Sequence, residues 1–303
     1  MDATLKILPV FLVILAGIGG KRLGLLPDTF QGPANRLVYY VAIPCLLFLK
    51  VEQAPFREIL RPGWIAAACG ATVVLWSSSI LLSGRLGLAR DSRGSFVQCS
   101  IHANLGYIGL AAAFYGLGER GFQAASVFAP FFMLTNNGLS VLAMGRFGSS
   151  GARSAGQLLR VLLLHPVILA SFAGLFWSWT GWGVHPVAAE ALGILAGMAL
   201  PLALLLIGAG LRLDSLERIR AAAWITATKT LALPALGALL LTWAGADGVD
   251  RAAAVLLLSA PSATISLIMA REMGGDPELA STAVTVSTLA SAATLTLWLG
   301  LLA

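Results

Sequence analysis

The sequence predicts an all-α membrane protein of ten transmembrane helices, arranged as two oppositely oriented sets of five. Three observations predict it. Of the 303 residues, 58% are apolar and only 11% charged, against about a quarter charged in a soluble domain, so the chain has too little polar surface to face water on all sides. Apolar runs of about 20 residues recur along the whole length, each long enough to cross a bilayer as a helix. The residues that interrupt these runs repeat at a fixed offset of 157 positions, pairing Pro9 with Pro166, Pro44 with Pro201 and Asn104 with Pro261.

The first span, 4–21, carries "ILPVFLVILAGIGG" and ends at Lys21 and Arg22. Nine more follow, so it reads as an uncleaved helix rather than a signal peptide. Span 33–51 holds Pro44, and 63–84 is uninterrupted. Span 94–116 holds "HANLGYIGLA" near its centre, and the turn "GLGER" (116–120) separates it from 121–144, which contains "TNNG". The polar stretch "GRFGSSGARSAG" divides the chain into a first repeat (1–144), a short linker (145–156) and a second repeat (157–303). The second repeat brings spans 157–179, 187–211 with Pro201, 221–243 with Lys229, 250–272 with "SAPSATISLIMA", and 279–301. Its turn "MGGDP" (273–277) stands where "GLGER" stands in the first, matching Gly118 with Gly275 and Glu119 with Asp276. Five is an odd number of crossings, so the second copy enters the bilayer upside down. Repeats of this kind build secondary transporters, with the substrate site at mid-depth between the copies.

Loop charges set the orientation. With the N-terminus outside, 13 basic residues fall in inside loops and 6 in outside loops, which predicts both termini outside. The net charge of +6 follows this loop pattern, and no basic patch rises above it to suggest a nucleic-acid partner. Cys45, Cys69 and Cys99 all lie in apolar spans without metal-ligand spacing, so neither a disulfide framework nor a zinc site is expected.

The candidate chemistry lies in the fourth and ninth spans. Pro261 has no N–H, so the carbonyl of Leu257 loses its helical partner. Gly106 and Gly109 weaken the fourth span and admit another backbone. Freed backbone groups at membrane depth must find partners or line a cavity. Two interrupted helices meeting there would offer N–H groups from half-helix N-termini, which favour an anion. Asn104 adds a donor and an acceptor, and Ser262, Thr264 and Ser266 add hydroxyls; the alternative is that these groups staple helices together.

Lys229 lies near the centre of the eighth span, where a lysine costs roughly 2.5–3.5 kcal/mol on insertion scales. Two readings stay open: a cavity-facing cation that attracts anions, or a lysine bound to carbonyls. Asn136 and Asn137 are adjacent and cannot share a helix face, so one is expected on the pathway and the other against a neighbouring helix. His102 and His165 read as packing or hydrogen-bonded histidines, and Gly193 with Gly197 as a close helix–helix contact. Among the carboxylates, Glu190 is placed deepest, near the start of the seventh span. No carboxylate pair, Walker motif or nucleophile–base pair stands at depth, so an ATP-driven pump and an intramembrane enzyme are not expected.

"NRLVYYVAIPCLLF" (35–48), "ANLGYIGL" (103–110), "MALPLALLLIGAGL" (198–211) and "APSATISLIMAREMGGD" (260–276) resemble the auxin efflux carrier family of bacteria, relatives of the plant PIN-formed exporters. The resemblance covers essentially the whole chain. It implies two inverted five-helix repeats with helices 4 and 9 broken and crossing, in a bacterial plasma membrane, and transport of small organic anions such as auxin-like or dicarboxylate molecules. Asn104, Gly106, Tyr107 and Gly109 match the family's span-4 motif, and Ala111 stands where that motif has proline. On this reading Asn104, Tyr107 and the backbone around Gly106 and Pro261 form the substrate site, with Ser262 and Thr264 beside it. The apolar body of the substrate would face spans 1, 2 and 7, and Pro44 and Pro201 would kink helices flanking a moving core. No cofactor is expected; a coupling H+ or Na+ is left open, as is a homodimer in the lipid bilayer. The alternative is a sodium-coupled organic-acid carrier of the bile acid symporter type. A non-transporting receptor is the third class.

Overall fold

A computed structural model describes residues 3–54, 61–149, 165–212 and 217–302. The described chain is helical, apart from one isolated bridge of extended backbone. Helix α1 runs Ala3–Arg22. Helix α2 (Asp28–Leu37) passes through a π turn (Val38–Ala42) into α3 (Ile43–Glu52), and α4 is Pro62–Arg85. Helix α5 (Arg90–Ile101) stops short, and a second π turn (Leu105–Gly109) opens α6 (Leu110–Phe147). Helices α7 (Pro166–Thr180), α8 (Pro186–Gly197) and α9 (Ala199–Gly210) follow. Helix α10 (Ile219–Ala227) continues through a third π turn (Thr228–Ala232) into α11 (Leu233–Trp243). The chain ends with α12 (Gly248–Ser259), α13 (Ile265–Glu272) and α14 (Pro277–Leu302).

Prolines start and bend these helices for one reason, the missing N–H. Helices α4, α7, α8 and α14 each begin on proline, where no donor is needed. Pro44 and Pro234 instead each follow a π turn, because proline cannot bond the carbonyl four residues back and the register slips. The carbonyl that Pro234 frees, that of Thr230, accepts the Trp298 indole N–H at 2.8 Å.

Seven runs among the described residues are long and apolar enough to cross a membrane, where the sequence suggests ten. The difference has three causes. The second half of the fourth span runs on into the fifth as one apolar stretch, Leu105–Phe147. Tertiary breaks leave α5, α12 and α13 too short to count alone. Residues 150–164 lie outside the described chain, and with them most of the expected linker and the start of the expected sixth span. In α6 the chain turns at Gly118, whose φ of 72° and ψ of −165° no side chain tolerates easily.

Two layers position the site. In one, α1 packs on α9 and α3 on α7. These pairs approach backbone to backbone: a Cβ on Gly17 would strike the Leu205 carbonyl oxygen, one on Gly208 that of Ile14, and one on Gly174 would lie 2.8 Å from that of Phe48. In the other, α5, α6, α10, α12 and α14 pack around buried Phe96, Val97, Ala254 and Leu279. The outside is apolar, with Leu15, Leu81 and Ile194 all more than half exposed, as a lipid-facing surface requires.

One expectation is corrected here. Gly193 and Gly197 are exposed and have nothing within 4 Å of an added Cβ, so they make no close contact among the described residues. Glu190, in the second turn of α8, is exposed, and among the described residues the carboxylate buried by protein is Asp276, 5% accessible. Its position just before the proline of α14 explains why: Oδ1 accepts the Leu279 N–H at 3.0 Å, capping the helix. Oδ2 accepts from Ser92 at 2.7 Å and pairs with Arg218 at 3.1 Å. Asp276→Ala is expected to cost about 2 kcal/mol, since it uncaps α14 and leaves the buried Ser92 hydroxyl without its acceptor. A lowered melting temperature in detergent checks this; an unchanged melt contradicts it.

Candidate functional site

The fourth and ninth spans are interrupted at His102–Asn104 and Ala260–Thr264, and the interruptions pair with each other. Ala103 and Ser262 form an antiparallel bridge. The Asn104 N–H donates to the Pro261 carbonyl, and the Ala263 N–H to the His102 carbonyl, both at 2.8 Å. Unwound backbone at this depth thereby recovers the bonds that the helices lost. Further bonds seat the pair. The Ser262 hydroxyl donates to the Cys99 carbonyl at 2.8 Å, and its N–H to the Ser287 hydroxyl at 3.1 Å. The Asn104 carbonyl accepts from Ile108 and Gly109, starting the next helix. Gly109 leaves room for this, since its added Cβ would lie 3.1 Å from the Leu257 side chain.

Each half-helix beyond a break exposes its first donors. The N–H groups of Gly106 and Tyr107, and of Thr264 and Ile265, have no backbone acceptor among the described residues. The Asn104 side-chain amide, in a residue only 6% accessible, likewise has no hydrogen-bond partner at Nδ2. All five residues line one cavity of about 730 Å³. Two sets of orphan donors and an amide at the positive ends of two helix dipoles make a place for an anion.

The cavity walls come from several elements. Tyr39 and Ile43 face it from the second span, Val167 from α7, and Leu206 and Ile207 from α9. No described residue of α1 lines it, contrary to the expectation of an apolar wall from span 1, because that helix is committed to α9. The Tyr107 hydroxyl donates to Asn35 Oδ1 at 3.1 Å, tying the fourth span to α2. His102 and His165 both line the cavity. His102 Nδ1 lies 3.0 Å from the Ser140 hydroxyl, and His165 packs edge-on to Tyr39.

The sequence-derived site residues fall into two groups. Asn104, Gly106, Tyr107, Thr264 and Asn137 line the cavity. Pro261, Ser262, Asn136 and Lys229 are buried outside its lining; the first two hold the paired breaks together, and Asn136 is 3% accessible behind Asn137. Pro44 and Pro201 lie in the second and seventh spans, close after the π turn and after a one-residue interruption at Met198. Lys229 is fully buried, and its ammonium donates to the carbonyl of Leu258. Arg36, Arg212 and Arg271 also line the cavity. In sequence they belong to the basic loop residues; Arg36 and Arg271 fall inside quoted motifs, and Arg212 directly follows one.

A lipid-facing helical bundle that holds a polar cavity against interrupted backbone is the build of a membrane transport protein. The comparisons name the family. A family model described as "Membrane transport protein" matches residues 2–143 and 150–299. A "Putative malonate transporter" of Rhizobium meliloti (strain 1021) is 30% identical over 97% of this chain and 94% of its own length. An uncharacterized transporter of Methanothermobacter thermautotrophicus is 26% identical over 98% of both chains. The chain belongs to this membrane transport family, that of the auxin efflux carriers. It is a multi-pass membrane protein with a small-molecule substrate, and its family is one of transporters rather than enzymes.

Proposed function

We propose that the protein is a secondary carrier of small organic carboxylates, working by alternating access across a bacterial plasma membrane with both termini outside. One observation carries the reading: the unpartnered amide of Asn104 lines the cavity beside four free backbone N–H groups at two half-helix N-termini. A carboxylate satisfies these donors with charge-assisted bonds. The name of the Rhizobium relative supports a short dicarboxylate such as malonate.

The same reading makes the chain ten crossings in two inverted repeats, and backbone contacts support it. The offset of 157 residues carries the close approach of Gly17 to Leu205 onto that of Gly174 to Phe48. It carries Val41, in the first π turn, onto Met198, where the seventh span is interrupted. It also carries Asn104 onto Pro261, partners across the paired breaks. A pseudo-twofold axis in the membrane plane produces such reciprocal contacts.

Purified protein in proteoliposomes is expected to take up radiolabelled malonate saturably above protein-free vesicles, and to melt at higher temperature with it. Neither uptake nor a melting shift with malonate or any of a panel of small mono- and dicarboxylates would overturn the reading.

A further inference from the structure

We propose that Lys229 is a tethered, protonatable cation whose proton is gained and lost together with the transported anion, which makes the protein proton-coupled. This inference rests on the carrier reading above. It begins with the environment of the ammonium. Lys229 sits within the π turn Thr228–Ala232, with no accessible surface. π turns inside α-helices gather at functional positions. Its hydrogen bond goes to the carbonyl of Leu258, in the last turn of α12. That carbonyl is free because the N–H four residues on, that of Ser262, is turned to Ser287 at the break. The lysine therefore caps the broken helix, at the place where the fold leaves a negative dipole end.

What surrounds this cation is notable for its charge. The π turn is packed by α5, α10, α11, α12 and α14. Their carboxylates are Asp91, Asp250 and Glu278, each in the first turn of its helix. Asp276, just before α14, is engaged with Arg218 and Ser92. The cations Arg90, Arg93, Arg220 and Arg251 also stand near helix starts, and α11 carries no charge. Cys99 on α5 and His102 beyond it are the remaining titratable groups, and His102 is bonded to Ser140. No carboxylate among the described residues is bonded to the ammonium.

A lone buried ammonium is costly in so poor a dielectric, and an anion in the adjoining cavity offsets that cost. Leu258 is three residues before Pro261, whose carbonyl holds Asn104. Three residues of chain reach at most about 10 Å, and the hydrogen bonds at either end and the contact to the anion add about 7 Å more, so the charge lies within about 17 Å of the anion's place. At that separation and an effective dielectric near 20, the attraction is worth roughly a fivefold preference for the protonated lysine. Linkage is reciprocal, so the proton raises anion affinity by the same factor. The step is Lys–NH3+ ⇌ Lys–NH2 + H+, with the proton entering and leaving on the side to which the anion is exposed.

The test measures malonate affinity and uptake of the full-length protein across pH 5.5–8.5, for wild type, Lys229→Arg and Lys229→Gln. Guanidinium stays charged throughout and glutamine stays neutral. An inward proton gradient is expected to accelerate wild-type uptake several-fold, up to roughly fivefold. Lys229→Arg is expected to bind malonate with the pH dependence of the substrate alone, and Lys229→Gln to bind roughly fivefold more weakly with the same profile. Equal pH profiles for wild type and Lys229→Arg, or wild-type uptake indifferent to the proton gradient and driven by sodium, would overturn the proposal while leaving the carrier reading intact. Wild type that neither binds nor moves any small carboxylate would overturn both. Should glutamine prevent folding, the arginine variant alone still decides.

Discussion

Asn104→Ala is expected to remove most carboxylate uptake while leaving the protein folded and inserted. The side-chain amide donates to nothing at Nδ2, so its removal breaks no bond there. The interactions that hold the break are made by backbone: the N–H of residue 104 to Pro261, and its carbonyl to Ile108 and Gly109. Alanine keeps both. What it loses is a donor to an anion in a site 6% accessible, a bond worth about 1.5–3 kcal/mol when one partner is charged. Affinity should fall by between about 10-fold and 150-fold, and uptake at substrate levels near the wild-type half-saturation should fall to between about a fifth and about a hundredth of wild type. The melting temperature without ligand should move little, whereas the ligand-induced rise should disappear. Wild-type uptake by this variant would remove Asn104 from the site. A collapsed melt would instead make it a structural residue.

Gly208→Val should destroy the protein rather than its selectivity. A Cβ at position 208 would strike the carbonyl oxygen of Ile14 and lie 2.9 Å from its carbon, both backbone atoms that cannot rotate away. Helix α1 must then move off α9, which opens packing along the whole pair. The cost is at least the 1–3 kcal/mol of ordinary overpacking, and about twice that where backbone is the obstacle. Gly17→Val, on the opposite side of the same contact, should behave alike. Gly193→Val serves as the control, because nothing lies within 4 Å of its added Cβ and the site is exposed. Size-exclusion chromatography in detergent reads the difference: aggregated Gly208→Val beside monodisperse Gly193→Val. A monodisperse Gly208→Val would show that the α1–α9 contact is looser than described.

Gly208 and Gly193 are expected to behave oppositely, against what their spacing in sequence suggests. Gly193–Gly197 has the spacing of a packing motif and faces outward. Gly17 and Gly208 belong to no such pair and face a backbone. Which face of a helix meets another depends on its rotation, and in a wholly apolar span periodicity is too weak to set it. Asn136 and Asn137 show the converse, since adjacency guarantees different faces and leaves only the assignment open. The Lys229 alternatives were chemically sound on both sides. The direction of its neighbour's broken end chose the carbonyl.

Composition, span length and the repeated offset of interrupting residues determined on their own that this is a helical membrane protein, and where its helices are stressed. Motifs along the whole length pointed to the family that the comparisons then showed. Only the tertiary structure decided how the stress is resolved. The fourth span carries no proline near its centre and yet opens at His102–Asn104, because the ninth span brings a proline-freed backbone within 2.8 Å of it. Tertiary structure also gathered Arg36, Arg212 and Arg271 around one cavity and buried Asp276 beside Arg218. The physical reason is that an unpaired backbone group inside lipid must be answered by whatever lies opposite. A sequence states which groups lack partners, and only the fold brings the partner.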